Sequence, residues 1–181
     1  MNIPLTPLRF LRYAEEQYAG RTAIVCGEQR FTYAKYAQRT SHLAGALREL
    51  GVQPGDRVAF LGLNCHRLLE AYYGVLEAGA VLLPLNIRLA PHELAHILND
   101  SGAKVLFLEK QFLAMADSFR PSISTIKTFC LLDGSPEAAW LCSGNYEALL
   151  ESATAHRADI LAIDENAVAE IFYTSGTSAN P

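Results

Sequence analysis

The 181 residues are enough for one domain with a real core and too few for several. Half are hydrophobic and 19% are charged, which excludes a disordered chain, and a net charge of -4 leaves no basic surface for nucleic acid. The longest apolar stretch, Ala78 to Leu85, is far short of the ~20 residues a membrane span needs, and the amino terminus has no apolar core for a signal peptide. Cys26, Cys65, Cys130 and Cys142 show no C-x-x-C spacing. Cys26 and Cys130 lie in strand-like runs, so the expectation is free, buried thiols in a reducing, cytoplasmic setting.

Thr22 to Cys26 and Phe31 to Tyr33 are β-branched or aromatic runs around Gly27 and Glu28, and they predict a hairpin. From Ala34 to Leu50 the spacing turns helical, with Tyr36, Leu43, Leu47 and Leu50 on one face, and Gly51 closes it. Pro54-Gly55-Asp56 is a turn, followed by a strand from Arg57 to Gly62. Arg67 to Ala78 predicts a helix whose Arg67, Glu70 and Glu77 read as a solvated stripe, with His42 and His66 near solvent as well. A strand over Ala80 to Leu85 and a helix over Pro91 to Asn99, closed by Gly102, come next. Strands over Lys104 to Leu108 and Ile126 to Leu132 follow. Asp133 to Asn145, which holds Trp140, reads as a packed loop, Tyr146 to Glu151 as a short helix and Ala167 to Tyr173 as a last strand. Continuous apolar strands alternating with helices give an α/β class, a mostly parallel sheet flanked by helices, with no internal boundary visible over residues 1–181.

The last nine residues, Tyr173 to Pro181, carry a buried-type strand into a loop of hydroxyls and one glycine. Glycine lets backbone N–H groups converge on a phosphate, and hydroxyls add donors. The second Gly and the Lys of a Walker loop are absent, and a solvated Ser/Thr tail is the plain alternative.

This run resembles the loop Tyr/Phe-Thr-Ser-Gly-Ser/Thr-Thr-Gly-x-Pro-Lys-Gly of adenylate-forming enzymes, the superfamily of AMP-forming acyl-CoA synthetases. Ser178 stands for Thr and Ala179 for Gly. Three further stretches resemble the family's elements in order: Phe31 to Tyr36, Gly55 to Ala59, and Leu76 to Asn86. Asn86, followed by Arg88-Leu89, is more similar to acyl-CoA ligases than to peptide-synthetase domains. The resemblance implies part of the large amino-terminal domain of a fatty-acid or other carboxylate–CoA ligase, stopping inside its phosphate-binding loop. It implies a carboxylic acid, ATP with Mg²⁺, and coenzyme A as the full enzyme's partners. Thr174, Ser175, Gly176, Thr177 and Ser178 would hold the β- and γ-phosphates. No catalytic residue and no metal ligand fall within the chain, which is expected to be inactive alone, to bind no cofactor and to self-associate as a dimer.

A rival motif is His92-Glu93-Leu94-Ala95-His96, the H-E-x-x-H of zinc hydrolases, in which i and i+4 imidazoles share a helix face. Pro91 puts His92 at a helix terminus, and no third ligand stands out among Glu109, Glu147, Glu151 and His156. A non-catalytic binding domain is the third reading.

Overall fold

The computed structural model describes residues 4–174. A helix not expected from the sequence comes first: α1, Leu8–Tyr18, which buries Leu8 and Leu11. The hairpin follows, β1 (Thr22–Cys26) paired antiparallel with β2 (Gln29–Thr32) through Cys26 opposite Gln29. Thr32 then caps α2 (Tyr33–Glu49), its hydroxyl accepting from the Lys35 N–H at 3.2 Å. A third small cluster of Leu11, Ile24, Tyr36 and Ala37 packs α1 and the hairpin onto α2.

Four parallel strands form the main sheet: β3 (Arg57–Leu61), β4 (Val81–Pro84), β5 (Val105–Leu108) and β6 (Thr128–Leu131), in the order β4-β3-β5-β6. Alternate residues point to opposite faces, as the strand period of two requires. Val58 and Phe60 join the core shared with α2, α3 (His66–Glu77) and α6 (Tyr146–Ser152). Ala59 and Leu61 join the core shared with α4 (Pro91–Ser101) and α5 (Leu113–Phe119). Burial on both faces is why these strands are apolar at nearly every position. The chain crosses from β3 to β4 over one face and from β4 to β5 over the other, so the connection reverses at β3.

Two local constraints set the helix packing. Arg57 donates from Nε and Nη2 to the carbonyls of Ser101 and Gly102, closing the carboxy end of α4, where Gly102 takes a left-handed φ of 65°. Gly45 in α2 lets the segment after α6 cross closely: a Cβ there would fall on the Thr154 carbonyl oxygen.

The structure corrects several expectations. The stripe of Arg67, Glu70 and Glu77 is not solvated: Glu70 is 0% and Glu77 4% exposed, and Arg67 is half-buried. His66 is buried too, at 4%. Both carboxylates were placed outside because a charge is rarely buried without partners, and the partners come from distant segments. Glu77 is held by Arg12 of α1 and by the Ala158 N–H at 2.6 Å. Ala167 to Tyr173 is not a strand either. It makes a single parallel bridge, Leu82 with Glu170, and Tyr173 is then drawn to α4.

At the start of α4, Ala90 occupies the N-cap with extended backbone and no side-chain cap. The Glu93 carboxylate accepts from the Ala90 N–H at 2.6 Å, which is half of a capping box; Ala has no oxygen to supply the other half. Replacing Ala90 by Thr supplies it and is expected to stabilise the domain by about 1 kcal/mol, read as a raised denaturation midpoint at unchanged slope.

Candidate functional site

The loop singled out in the sequence begins at the edge of the described structure. Thr174 is exposed, and Ser175, Gly176, Thr177 and Ser178 lie outside the described residues. What the structure shows is the approach to them. Leu82 donates to the Ala169 carbonyl at 3.0 Å and accepts from the Ile171 N–H at 2.9 Å, which docks the segment against β4. Ile171 and Tyr173 pack on the α4–α5 core. The Tyr173 hydroxyl donates to Asp100 Oδ2 at 2.6 Å, in the last turn of α4. Burial, and then the Asp100 carboxylate, push the Tyr173 pKa up to about 12, so the hydroxyl stays a donor at any physiological pH. Glu170 is pushed up as well, by burial alone. The hydroxyl-rich run thus follows a segment docked through its backbone at Ala169 and Ile171 and through the side chain of Tyr173.

The H-E-x-x-H residues do not assemble a site. Glu93 is committed to the cap of α4, and His92 and His96 are exposed. Among the described residues, no group of three or more His, Cys, Asp or Glu side chains is placed to hold a metal ion.

A second concentration of charge, with no local signature in the sequence, lies between α2, α3 and α6. Arg39 donates from Nε and Nη2 to both oxygens of Glu70, at 2.5 and 3.1 Å, and from Nη1 and Nη2 to both oxygens of Glu147, at 2.8 and 3.1 Å. The Tyr146 hydroxyl donates to Glu70 at 2.8 Å and Arg67 donates to Glu147 at 3.1 Å. His66 Nε2 faces Glu147 at 3.8 Å. Burial would raise the Glu147 pKa, but His66, Arg39 and Arg67 outweigh it and hold the carboxyl well below the usual range. A buried carboxylate and a partly exposed one, 77 positions apart with an arginine from a third helix between them, leave no local pattern to read.

The comparisons with known proteins agree with the sequence motifs. A family model described as AMP-binding enzyme matches residues 11–181. The chain belongs to the AMP-binding enzyme family. It is 40% identical over 152 residues to a long-chain-fatty-acid–CoA ligase of Thermus thermophilus, covering 84% of this chain and 27% of that protein. It is 33% identical over 191 residues to a peroxisomal benzoate–CoA ligase of Arabidopsis thaliana, covering 99% of this chain and 33% of that protein. Among solved structures, a fatty acyl CoA synthetase of Mycobacterium tuberculosis superposes with a TM-score of 0.79 at 28% identity, over 93% of this chain and 32% of that one. An anthranilate CoA ligase in complex with anthranoyl-AMP shares the fold at a TM-score of 0.89 and 22% identity, covering 100% of this chain and 34% of that one. The chain therefore has the architecture of acyl- and aryl-CoA ligases and spans about a third of these relatives' lengths.

The Glu147 cluster makes a pH prediction for this family member. Its pKa is depressed in the folded state, so its stabilisation is complete above the unfolded value of about 4.3 and is lost as pH falls below it. Denaturation midpoints should drop between pH 5 and pH 3, and Glu147→Gln should be less stable than the parent at pH 7 with a flatter dependence over that window.

Proposed function

We propose that the chain is the amino-terminal part of an AMP-forming ligase that activates a fatty acid or related carboxylic acid for thioester formation with coenzyme A. The observation that supports this reading is the family match running through residue 181; the resemblance of Thr174, Ser175, Gly176, Thr177 and Ser178 to the family's phosphate-binding loop adds to it. That run supplies four hydroxyls and a glycine and no anionic side chain, a donor set that fits the β- and γ-phosphates of ATP. In the reaction, a carboxylate oxygen attacks the α-phosphorus and pyrophosphate leaves; the thiol of coenzyme A then displaces AMP from the acyl-adenylate. Mg²⁺ would neutralise charge on the phosphates. The residues of the loop bind and orient the polyphosphate, and Tyr173, pinned to Asp100, fixes where the loop starts.

A fatty acid is favoured by the 40% identity to the Thermus thermophilus protein, whose name gives a long-chain fatty acid as substrate. The free state of Cys26, Cys65, Cys130 and Cys142 is consistent with a reducing cytoplasm, and no helix among the described residues is long and apolar enough to cross a membrane.

The chain spans about a third of its relatives, so we infer that the 181 residues alone do not adenylate. Pyrophosphate–ATP exchange tests both statements. No exchange is expected from the 181 residues, and fatty-acid-dependent exchange is expected from a longer protein that carries them. In that longer protein Thr177→Ala should lower exchange by about 100-fold, the usual loss on removing one well-placed donor to a developing anion. Exchange by the short chain would overturn its inactivity, whereas a longer protein without exchange, or with exchange indifferent to Thr177, would sink the assignment.

Self-association is the second proposal for the isolated chain. Phe10, Val168 and Phe172 are 72%, 62% and 58% exposed, apolar side chains that a second copy would cover. A two-fold dimer covering them is the simplest arrangement. Light scattering at micromolar concentration should return twice the chain mass, and Phe10→Asp should return it to one; a monomer throughout would refute it.

A further inference from the structure

A cleft of about 580 Å³ opens between the hairpin and the amino half of α3. Ile24, Val25, Leu68, Leu69 and Tyr72 give it apolar walls, and no Lys or Arg lines it. Cys26, from the end of β1, and His66, from the first turn of α3, line it together.

His66 is held like a working imidazole. The Phe31 ring stacks on it at 4.8 Å between centroids, and Nε2 faces Glu147 at 3.8 Å. Its other nitrogen, Nδ1, is buried with no hydrogen-bond partner. Such an orphan is uncommon in a folded protein and needs an explanation. The thiol sharing the cleft wall supplies one. No hydrogen bond is closed between the two, yet the imidazole is the largest influence lowering the Cys26 pKa, followed by the His66 backbone N–H and the Arg67 charge. Burial works against a charge on His66, but Glu147, Cys26 and Glu70 outweigh it and raise its pKa. Half-exposed sulfur, a neighbouring imidazole and the amino end of α3 are the setting in which cysteines become nucleophilic.

We propose that Cys26 is a modification site for uncharged α,β-unsaturated carbonyl compounds with an apolar tail, and that His66 is its proton partner. The thiol proton passes to Nδ1. The sulfur lone pair then forms a C–S bond to the β-carbon, the C=C pair moves onto the α-carbon and carbonyl, and the proton returns from His66 to the α-carbon. The product is a thioether; nothing is oxidised or reduced, and no other reactant is needed. Apolar walls without a cation select an uncharged acceptor whose tail lies along Leu68 and Leu69.

Cys65 lines the same cleft, but burial raises its pKa, so it serves as an internal control. Cys130 and Cys142 touch each other at 2.9 Å and do not line the cleft. The test is alkylation of the intact chain by limiting oct-1-en-3-one, resolved by peptide mass mapping over pH 5 to 9. Cys26 should react about tenfold faster than Cys65 at pH 7, and its rate should level off at lower pH. Octenone should outrun but-3-en-2-one at Cys26 and not at Cys65, which reports the tail's fit. His66→Gln should return the Cys26 profile to that of an ordinary thiol and leave Cys65 unchanged. Equal rates at Cys26 and Cys65 in the unmodified chain would overturn the site whatever His66→Gln does. So would no preference for the longer tail, or a Cys26 profile indifferent to His66.

Discussion

A carboxylate at the centre of a protein has to be paired, and Glu70 is the one on which this arrangement of helices depends. It is fully buried, and its oxygens are taken by Arg39 of α2 and Tyr146 of α6. Removing one partner of a buried pair leaves an uncompensated charge and typically costs about 3–5 kcal/mol. Packing alone would let α2, α3 and α6 settle on the sheet at several angles, because apolar contacts are not directional. The planar guanidinium of Arg39, bonded to two carboxylates at once, admits far fewer. The aromatic rings of Phe31 and Tyr146, near the same guanidinium at 5.5 and 6.0 Å, add to the same constraint from the hairpin and from α6.

Most of the fold was legible because it follows from local rules. The parallel sheet could be read from β3, β4 and β5, where a strand buried on both faces must be apolar throughout. The closing of α4 by Gly102 and the hairpin over Gly27 and Glu28 follow from short-range chemistry in the same way. Reading failed where a distant partner decided the outcome. Glu70 and Glu77 look like a wet helix face because nothing within α3 reveals that Arg39, Arg12 and the Ala158 N–H will meet them. The segment from Ala167 to Tyr173 has the composition of a strand, yet Asp100, over seventy residues earlier, captures Tyr173 and limits the segment to one bridge.

The two candidate sites were unequally visible for the same reason. The phosphate-binding run is contiguous, so its residue types stand together in the chain and their resemblance to a family loop can be read directly. The cleft of Cys26 and His66 is assembled from the end of a hairpin and the start of a helix forty residues later. In the sequence one is a strand cysteine and the other a lone histidine, each with an ordinary structural explanation.

These observations connect through Glu147. It is the carboxylate that Arg39 shares with Glu70, and it is also the group that faces His66. The charge on that imidazole is therefore set by the same network that fixes the three helices. Acid that protonates Glu147 removes a partner from Arg39 and Arg67 and a counter-charge from His66 together. Conversely, an adduct on Cys26 takes away the thiolate that His66 would pair with, leaving Glu147 as the principal support for its charge. The cleft and the helix core are thus not independent: α3 runs through both, they hold one carboxylate in common, and whatever changes its charge is felt in both.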